Sequence, residues 1–342
     1  MIPTLKELAA FYCNKKIVVT GGTGSIGENI VRSLIQYHPR QIIVFNRDDS
    51  KQYLMQKKYL LEKKISYYLG DIRDYQSVEN VTKGADIVFH AAALKQVPIC
   101  EENPYEAIRT NIVGCQHIIQ AAIKNNVDTV INVSTDKAVN PTNTMGATKL
   151  IAEKLFKNAN NLLENNKTRF ASVRFGNVLG SRGSVIPLFL DQARTGQPIT
   201  LTSPEMTRFF MTIPQAVELM LKAGFLCQGG EVFIFKMSAI RLEELIQAMK
   251  LYCQKKGWPI PTVKEVGVRE GEKIYEELLS LHEQGFLAEN KEMYLIPPSS
   301  DLSSYPGFQP STTTSFRSDT TKLHSVEEIL SIVEKLDTDK VR

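Results

Sequence analysis

No hydrophobic run in the sequence approaches the roughly 20 apolar residues that a membrane-spanning helix requires, so a chain threaded through a bilayer is not expected. The opening residues, MIPTLKELAAFYCNKK, also lack the order of charged, apolar and small residues that marks a secretory signal. Cysteine is sparse and scattered. Cys13, Cys100, Cys115, Cys227 and Cys253 form no CxxC pair and no Cys/His ligand spacing, which excludes a disulfide framework and leaves no expected metal site. Such an odd, dispersed set in apolar contexts suits reduced, buried packing residues in a cytoplasmic protein. A strong charge excess is absent too: 41 Lys and Arg against 37 Asp and Glu leave a formal charge of +4. That is too slight for a nucleic-acid surface, but it suits an anionic small molecule. The chain has no internal repeat.

What is present is ordinary for a soluble globular protein, with 43% hydrophobic and 23% charged residues. At 342 residues the chain suits two domains, each of roughly 100 to 200 residues. Short β-branched runs alternate with helical periodicity at 16–20, 41–45, 65–69, 86–90, 130–133 and 170–175. This order predicts an α/β fold, a Rossmann-type doubly wound parallel sheet.

The first strand, KIVVT, runs directly into Gly21-Gly22-Thr23-Gly24-Ser25-Ile26-Gly27 and an amphipathic helix. Glycines between a strand and a helix form a dinucleotide-binding turn: Gly21 for the tight turn, Gly24 for close approach to a pyrophosphate, Gly27 for helix packing. The second strand ends in Asn46-Arg47-Asp48. An arginine there accommodates a ribose 2′-phosphate, so NADP is the expected cofactor. NAD is the alternative, with Asp48 or Asp49 supplying the missing acid. Asp71 is placed to accept from the adenine amino group, with Ile72 covering the ring. Ala91-Ala92-Ala93 let a flat ring or ribose lie against the backbone. Lys95 points to the same rim, toward the substrate. Asn111, on a helix expected from about 104 to 125, is assigned to the cofactor side as a buried polar support.

The rest of the chain is organised around VINVSTDKAVNPTNTMGATK, residues 130–149. A buried strand stops at Ser134-Thr135-Asp136-Lys137, and a helix resumes at Thr144 and is expected to reach about 165. Met145 and Lys149 are four apart and share a helix face. An acid and an amine at a strand end, facing a helix that offers a second amine, suit the crevice beyond an open sheet. Further on, Gly176 to Val185 reads as a second glycine-rich loop entering a helix. Residues 197–202 read as a short edge strand, and Thr212 caps a helix with Pro214 in its first turn. Residues 297–319 are rich in Ser, Thr and Pro, an extended strap or flexible tail before a final helix over 325–336.

TGGTGSIG at 20–27, AAALKQVP at 91–98, STDKAVNPTNTMGATK at 134–149 and VRFGNVLGSRGSVIP at 173–187 together resemble the extended short-chain dehydrogenase/reductases. Within these, the chain is most similar to the UDP-N-acetylglucosamine 4,6-dehydratases of surface-sugar biosynthesis, over about residues 14–290. The resemblance implies hydride transfer from carbon 4 of a UDP-sugar, loss of water across carbons 5 and 6, and hydride return to carbon 6. It implies Lys137 as the base at carbon 5, Asp136 as the acid toward the departing hydroxyl, and Thr135 on the carbon 4 oxygen. Burial is then expected to lower the lysine pKa and raise that of the aspartate. The superfamily's YxxxK pair departs here, because Met145 stands in the tyrosine position before Lys149. A thioether takes no proton, so Asp136, Lys137 or water must deprotonate the carbon 4 hydroxyl, while Lys149 bonds the nicotinamide ribose. For the UDP part the resemblance implies Asn177, Ser181, Arg182, Val185, Thr202, Arg208, Arg269 and Glu272. The implied alternatives are release of the 5,6-unsaturated sugar, a 4-epimerase, or a non-catalytic NADP-binding sensor. The expected domains are 1–176 for the cofactor, 177–296 mainly for the UDP-sugar with segments returning to the first, and 297–342 as strap and final helix. A homo-oligomer is implied through the helices at 104–125 and 144–165.

Overall fold

The computed structural model describes residues 3–340 apart from 163 and 166. Helix α1 (Leu5–Tyr12) starts on a Thr4 and Glu7 capping box and lays Leu8 and Tyr12 against the main core. Strands β1 (Lys16–Thr20), β2 (Gln41–Asn46), β3 (Ile65–Leu69), β4 (Ile87–His90), β5 (Thr129–Val133) and β6 (Arg169–Arg174) lie parallel in the order β3-β2-β1-β4-β5-β6. Val232–Phe235 extends the sheet parallel to β6. Met293–Ile296, Ala288–Glu289 and Gln309–Pro310 then add an antiparallel edge, making ten strands among the described residues.

Alternation along a strand sends successive side chains to opposite faces. Ile17 and Val19 of β1 therefore pack with Ile30, Val31 and Leu34, whereas Val18 packs on the other face with Val88, Val130 and Phe156. Helices cover both faces: α2 (Ser25–Ile35), α3 (Asp49–Lys58), α4 (Tyr75–Thr82), α5 (Val97–Glu102), α6 (Pro104–Ile108), α7 (Gly114–Lys124) and α8 (Thr144–Ala159). Burial on both faces is why these strands read as continuous apolar runs rather than as alternating ones. A second lobe holds its own core of Leu179, Ile186, Phe189, Phe210, Ile240, Leu245 and Tyr252, joined by Ile329 and Val333 of the final helix, Val326–Lys340. Its three-stranded sheet, Asn177–Leu179, Thr207–Thr212 and Ser238–Arg241, faces the ends of the parallel strands' crevice with Asn177 and Arg208.

The structure corrects several expectations. The helix expected over 104–125 runs unbroken from Pro104 to Lys124, but widens into a π-turn over Arg109–Val113 between α6 and α7. It carries Asn111, whose amide both donates to Leu94 O and accepts from Leu94 N (2.9 and 2.8 Å). Helix α8 stops at Ala159, where Asn165 donates to the carbonyls of Ala159 and Thr168. The 297–319 segment is no tail, since Tyr305, Phe316 and Ser318 are all buried and Phe316–Arg317 pairs with Glu277–Leu279. Four cysteines are buried and free, but Cys13 is exposed. Among the described residues no helix is long and apolar enough to cross a membrane.

One ion-pair network links these layers. Arg174 of β6, 1% exposed, forks onto both oxygens of Glu153 in α8 (3.1 and 2.5 Å) and both of Glu283 (3.0 Å each), and donates to Leu278 O (3.0 Å). It therefore holds the central sheet, the helix of the second amine and the segment after residue 276 in one arrangement.

Candidate active site

A cavity of about 840 Å³ opens beyond the carboxyl ends of the parallel strands. The end expected to take the cofactor is built by the glycine turn. Gly21 has φ +64°, and a Cβ there would stand 2.8 Å from the Ala92 backbone; one on Gly27 would stand 2.4 Å from Gly21 O. Helices α1, α3, α4 and α8 have first-turn N–H groups met by cap side chains, whereas α2 begins at Gly24 with none. Uncapped N–H groups at a helix start that lines a cavity fit a pyrophosphate. Thr23, Ser25, Ile26 and Ala91 to Ala93 also line this end.

At the end of β2, Arg47 and Lys51 line the cavity. Asn46 donates to the Thr23 hydroxyl. Asp48 is spent on capping α3, accepting from Lys51 N at 2.9 Å, and neither it nor Asp49 lines the cavity, so the expected substitute acid is not there. Asp71 and Ile72 do line it. Burial pushes the Asp71 carboxyl up, but its bonds from Arg73 (2.7 and 2.9 Å) and the nearby Arg47 (3.6 Å) bring it below the usual range. Capping of α4 falls to Asp74. Asn111 does not line the cavity. It stands behind the wall, fixing Leu94 and bonding Thr148 Oγ1 (3.0 Å).

At the end of β5 the chain tightens into a single 3-10 turn, Asp136–Ala138, capped by Thr135. Helix α8 starts close against this turn because Gly146 has no side chain: a Cβ there would lie 2.2 Å from Lys137 O. Thr135 Oγ1 donates to Asp136 Oδ1 (2.8 Å), and Lys137 Nζ donates to the same oxygen (3.1 Å). Thr135 and Lys137 line the cavity; Asp136 is wholly buried just behind them, its Oδ2 without a partner. Lys137 also pairs with Glu276 (3.2 Å). Burial works to lower the lysine's pKa, but Asp136 and Glu276 outweigh both burial and the smaller opposing push of Arg208, and the net is a raised value. The expected lowering therefore does not occur in the resting site, because two carboxylates share the amine. On α8, Met145 packs with Cys100 and Ala107 at the cavity wall. Burial holds the pKa of Lys149, on the same helix face, below its ordinary value despite Cys115 and Glu153. Below it, burial and then Lys149 push His90 down to about 3, so the ring is neutral between the Thr20 hydroxyl (2.7 Å) and the Cys115 thiol (3.3 Å).

The opposite wall comes from the second lobe. Asn177, Ser181, Val185, Arg208, Arg269 and Glu272 all line the cavity, as does Lys95. Burial, with Arg182 nearby, lowers the Lys95 pKa. Thr202 does not line the cavity: its hydroxyl lies against Met206 Sδ (3.3 Å), because Ile199–Leu201 pairs with Val263–Glu265 and leads it away. Arg182 lines the cavity but reaches the cofactor end, with its side chain on Thr23 O and its backbone N on Ser25 Oγ (3.1 Å). The 269–273 turn docks on the loop after Asp136, where Thr142 Oγ1 and Asn143 Nδ2 donate to Gly271 O (2.8 and 2.9 Å) and Lys273 Nζ to Val139 O (2.7 Å). Sequence reasoning missed Lys51 and Glu276. Lys51 stood in an ordinary lysine-rich helix, and Glu276 only continues a charged turn whose partners lie far along the chain.

Three comparisons bear on this geometry. A UDP-glucose 4-epimerase of Rickettsia bellii is 41% identical over 290 residues, 84% of each chain. A UDP-N-acetylglucosamine 4,6-dehydratase (inverting) of Campylobacter jejuni is 40% identical over 287 residues, 83% of each chain. The solved structure of Pen from Bacillus thuringiensis superposes with a TM-score of 0.90 at 40% identity, covering 95% of this chain and 98% of that one. Relatives of this kind are nucleotide-sugar dehydratases and epimerases, an enzyme family on a Rossmann-like sheet. With the polysaccharide biosynthesis protein family model matching residues 17–298, the chain belongs to that family.

Proposed function

We propose that the protein is a UDP-N-acetylglucosamine 4,6-dehydratase that makes a UDP-4-keto-6-deoxy sugar for surface-glycan synthesis. The observation that carries this reading is the contact of Asp136, buried just behind the cavity wall, with Lys137 on it, an acid and an amine 3.1 Å apart with Thr135 bonded to the same oxygen. A 4-epimerase has no use for such a pair, because no proton leaves carbon 5 and no hydroxyl leaves carbon 6. Elimination needs one group to take a proton and another to give one.

The glycine turn, Arg47, Lys51, Asp71, Ile72 and Lys149 would hold NADP, which when bound supplies reversible hydride uptake from the sugar. The residues themselves move protons. Oxidation at carbon 4 releases the hydroxyl proton to water, and the ketone formed acidifies the proton on carbon 5. Lys137 Nζ takes that proton, the bonding pair forms the carbon 5–carbon 6 double bond, and the carbon 6 hydroxyl leaves as water with a proton that Asp136, buried behind the wall, passes through the Thr135 hydroxyl; the Lys137 ammonium then returns a proton to carbon 5 as carbon 6 regains hydride, and water restores the proton given up by Asp136. The working arrangement, neutral amine beside protonated acid, is reached from the resting ion pair by moving one proton along the existing hydrogen bond. Thr135 anchors Asp136 and offers its hydroxyl at the same wall. Asn177, Ser181, Arg208, Arg269 and Glu272 supply the fork and acceptor groups suited to a uridine diphosphate, while Arg182, held on Thr23 and Ser25, serves the cofactor instead. Exposed Ile108 and Ile151 on α6 and α8 support a homo-oligomer through that face.

Turnover of UDP-N-acetylglucosamine in heavy water, read by NMR, is expected to give a 4-keto-6-deoxy product with deuterium at carbon 5. An unsaturated sugar, a simple 4-epimer or unchanged substrate would each overturn the proposal. Cofactor choice has its own test. With Arg47 and Lys51 at the rim and Asp48 used as a cap, Arg47→Ala is expected to weaken NADP binding about tenfold, about 1.4 kcal/mol, and NAD binding far less. Calorimetric titration with both cofactors checks this; equal losses would remove the 2′-phosphate assignment.

A further inference from the structure

Glu276 has no part in the proposed reaction, yet its side chain is buried, lines the cavity and meets the amine of Lys137. Its Oε1 lies 3.2 Å from Lys137 Nζ and 3.7 Å from Arg208 Nε, while Oε2 has no partner. Its backbone is clamped. Glu276 N donates to Ser318 Oγ (2.9 Å), Ser318 N donates to Glu276 O (2.9 Å), and Ser318 Oγ also pairs with the Thr207 hydroxyl (2.8 Å). The 297–319 strap, the strand of Arg208 and the turn after Glu272 thus converge to hold one carboxylate in place.

A buried carboxylate is kept only where a charge or hydrogen bonds repay its lost hydration. The charged groups facing Lys137 are Asp136, Glu276 and Arg208. With both carboxylates ionised and both cations charged, the cluster is neutral. Moving the lysine proton to Asp136 leaves the cluster neutral, and the amine can still donate to Glu276. When Nζ then takes the carbon 5 proton, an ammonium forms beside an ionised carboxylate already in place.

We infer that Glu276 is a positioning residue that keeps the Lys137 amine aimed into the cavity and stabilises the ammonium formed when carbon 5 is deprotonated, without itself taking the proton. Its part is that of the carboxylate behind the histidine of a serine-protease triad, which orients the base and stabilises its charged form. After water departs, Lys137 is an ammonium and Asp136 a carboxylate, the resting arrangement. This inference rests on the dehydratase reading.

Glu276→Gln in the full chain, assayed with UDP-N-acetylglucosamine, is expected to lower kcat roughly 10² fold with KM little changed. The alkaline limb of its pH profile reports loss of the proton that Asp136 and Lys137 share. Without the charge of Glu276 that proton is held less tightly, so the limb moves to lower pH. Glu276→Asp is expected to recover part of the rate. NMR titration of ¹⁵N-lysine-labelled protein reads the Lys137 amine directly in both variants and needs no turnover. An unmoved limb and an unmoved amine titration in a folded Glu276→Gln protein would overturn the inference, whatever its rate. If wild-type protein makes no keto sugar, the dehydratase reading falls, while the amine titration still decides whether Glu276 sets the charge of Lys137.

Discussion

Asp136→Asn is expected to reduce formation of the keto sugar by roughly 10² to 10⁴ fold, the usual worth of a positioned acid or base, while leaving cofactor binding intact. The substitution keeps the shape of a wholly buried side chain and can still accept from Thr135 and Lys137 through its remaining oxygen. Only the proton it would give to the departing hydroxyl is lost. Lys137→Ala is expected to remove turnover as well, but less cleanly, because it leaves Asp136 without its cation and Glu276 with Arg208 alone. Product NMR alongside a cofactor-binding titration separates chemistry from folding. Wild-type turnover by either variant would take that residue out of the mechanism.

The largest expected effect on stability is at Arg174. Replacing it by Leu leaves Glu153 and Glu283 without their shared cation in the interior, a loss of about 3–5 kcal/mol for one partner of a buried pair. Burial pushes the Glu283 carboxyl up, and Arg174 together with Ser280 more than reverses this, leaving it below its ordinary value. The sign follows. A carboxyl whose pKa is lower folded than unfolded contributes stability above its unfolded value, about 4.3, and that contribution disappears as the pH falls through the folded value. In Arg174→Leu this part of the acid dependence should vanish along with the stability. Urea unfolding at several pH values measures both, and a change below about 1 kcal/mol, the range of an exposed pair, would show that the network is not structural.

Local order explains why so much could be read from the chain. KIVVT before GGTGSIG states a buried strand, a turn that needs glycine and an amphipathic helix within one short stretch, and each signal depends on neighbours in sequence. The same holds for Thr135, Asp136 and Lys137, which are consecutive and so share a site wherever the strand ends. Asn111, read as a buried polar support, does bond a loop backbone at Leu94, whereas Thr202 was misplaced for the opposite reason. Whether a polar side chain after an edge strand faces a cavity depends on what packs there, and here the sulfur of Met206 took it.

The succession of strands and helices along the chain, the glycine turn and the juxtaposed acid and amine were determined by the sequence alone, because periodicity and adjacency are short-range properties. The charge state of that amine was decided by the tertiary structure. Glu276 reaches Lys137 only when the strap carrying Ser318 and the turn carrying Gly271 close on the loop after β5, and a Coulomb interaction follows distance in space, not separation along the chain.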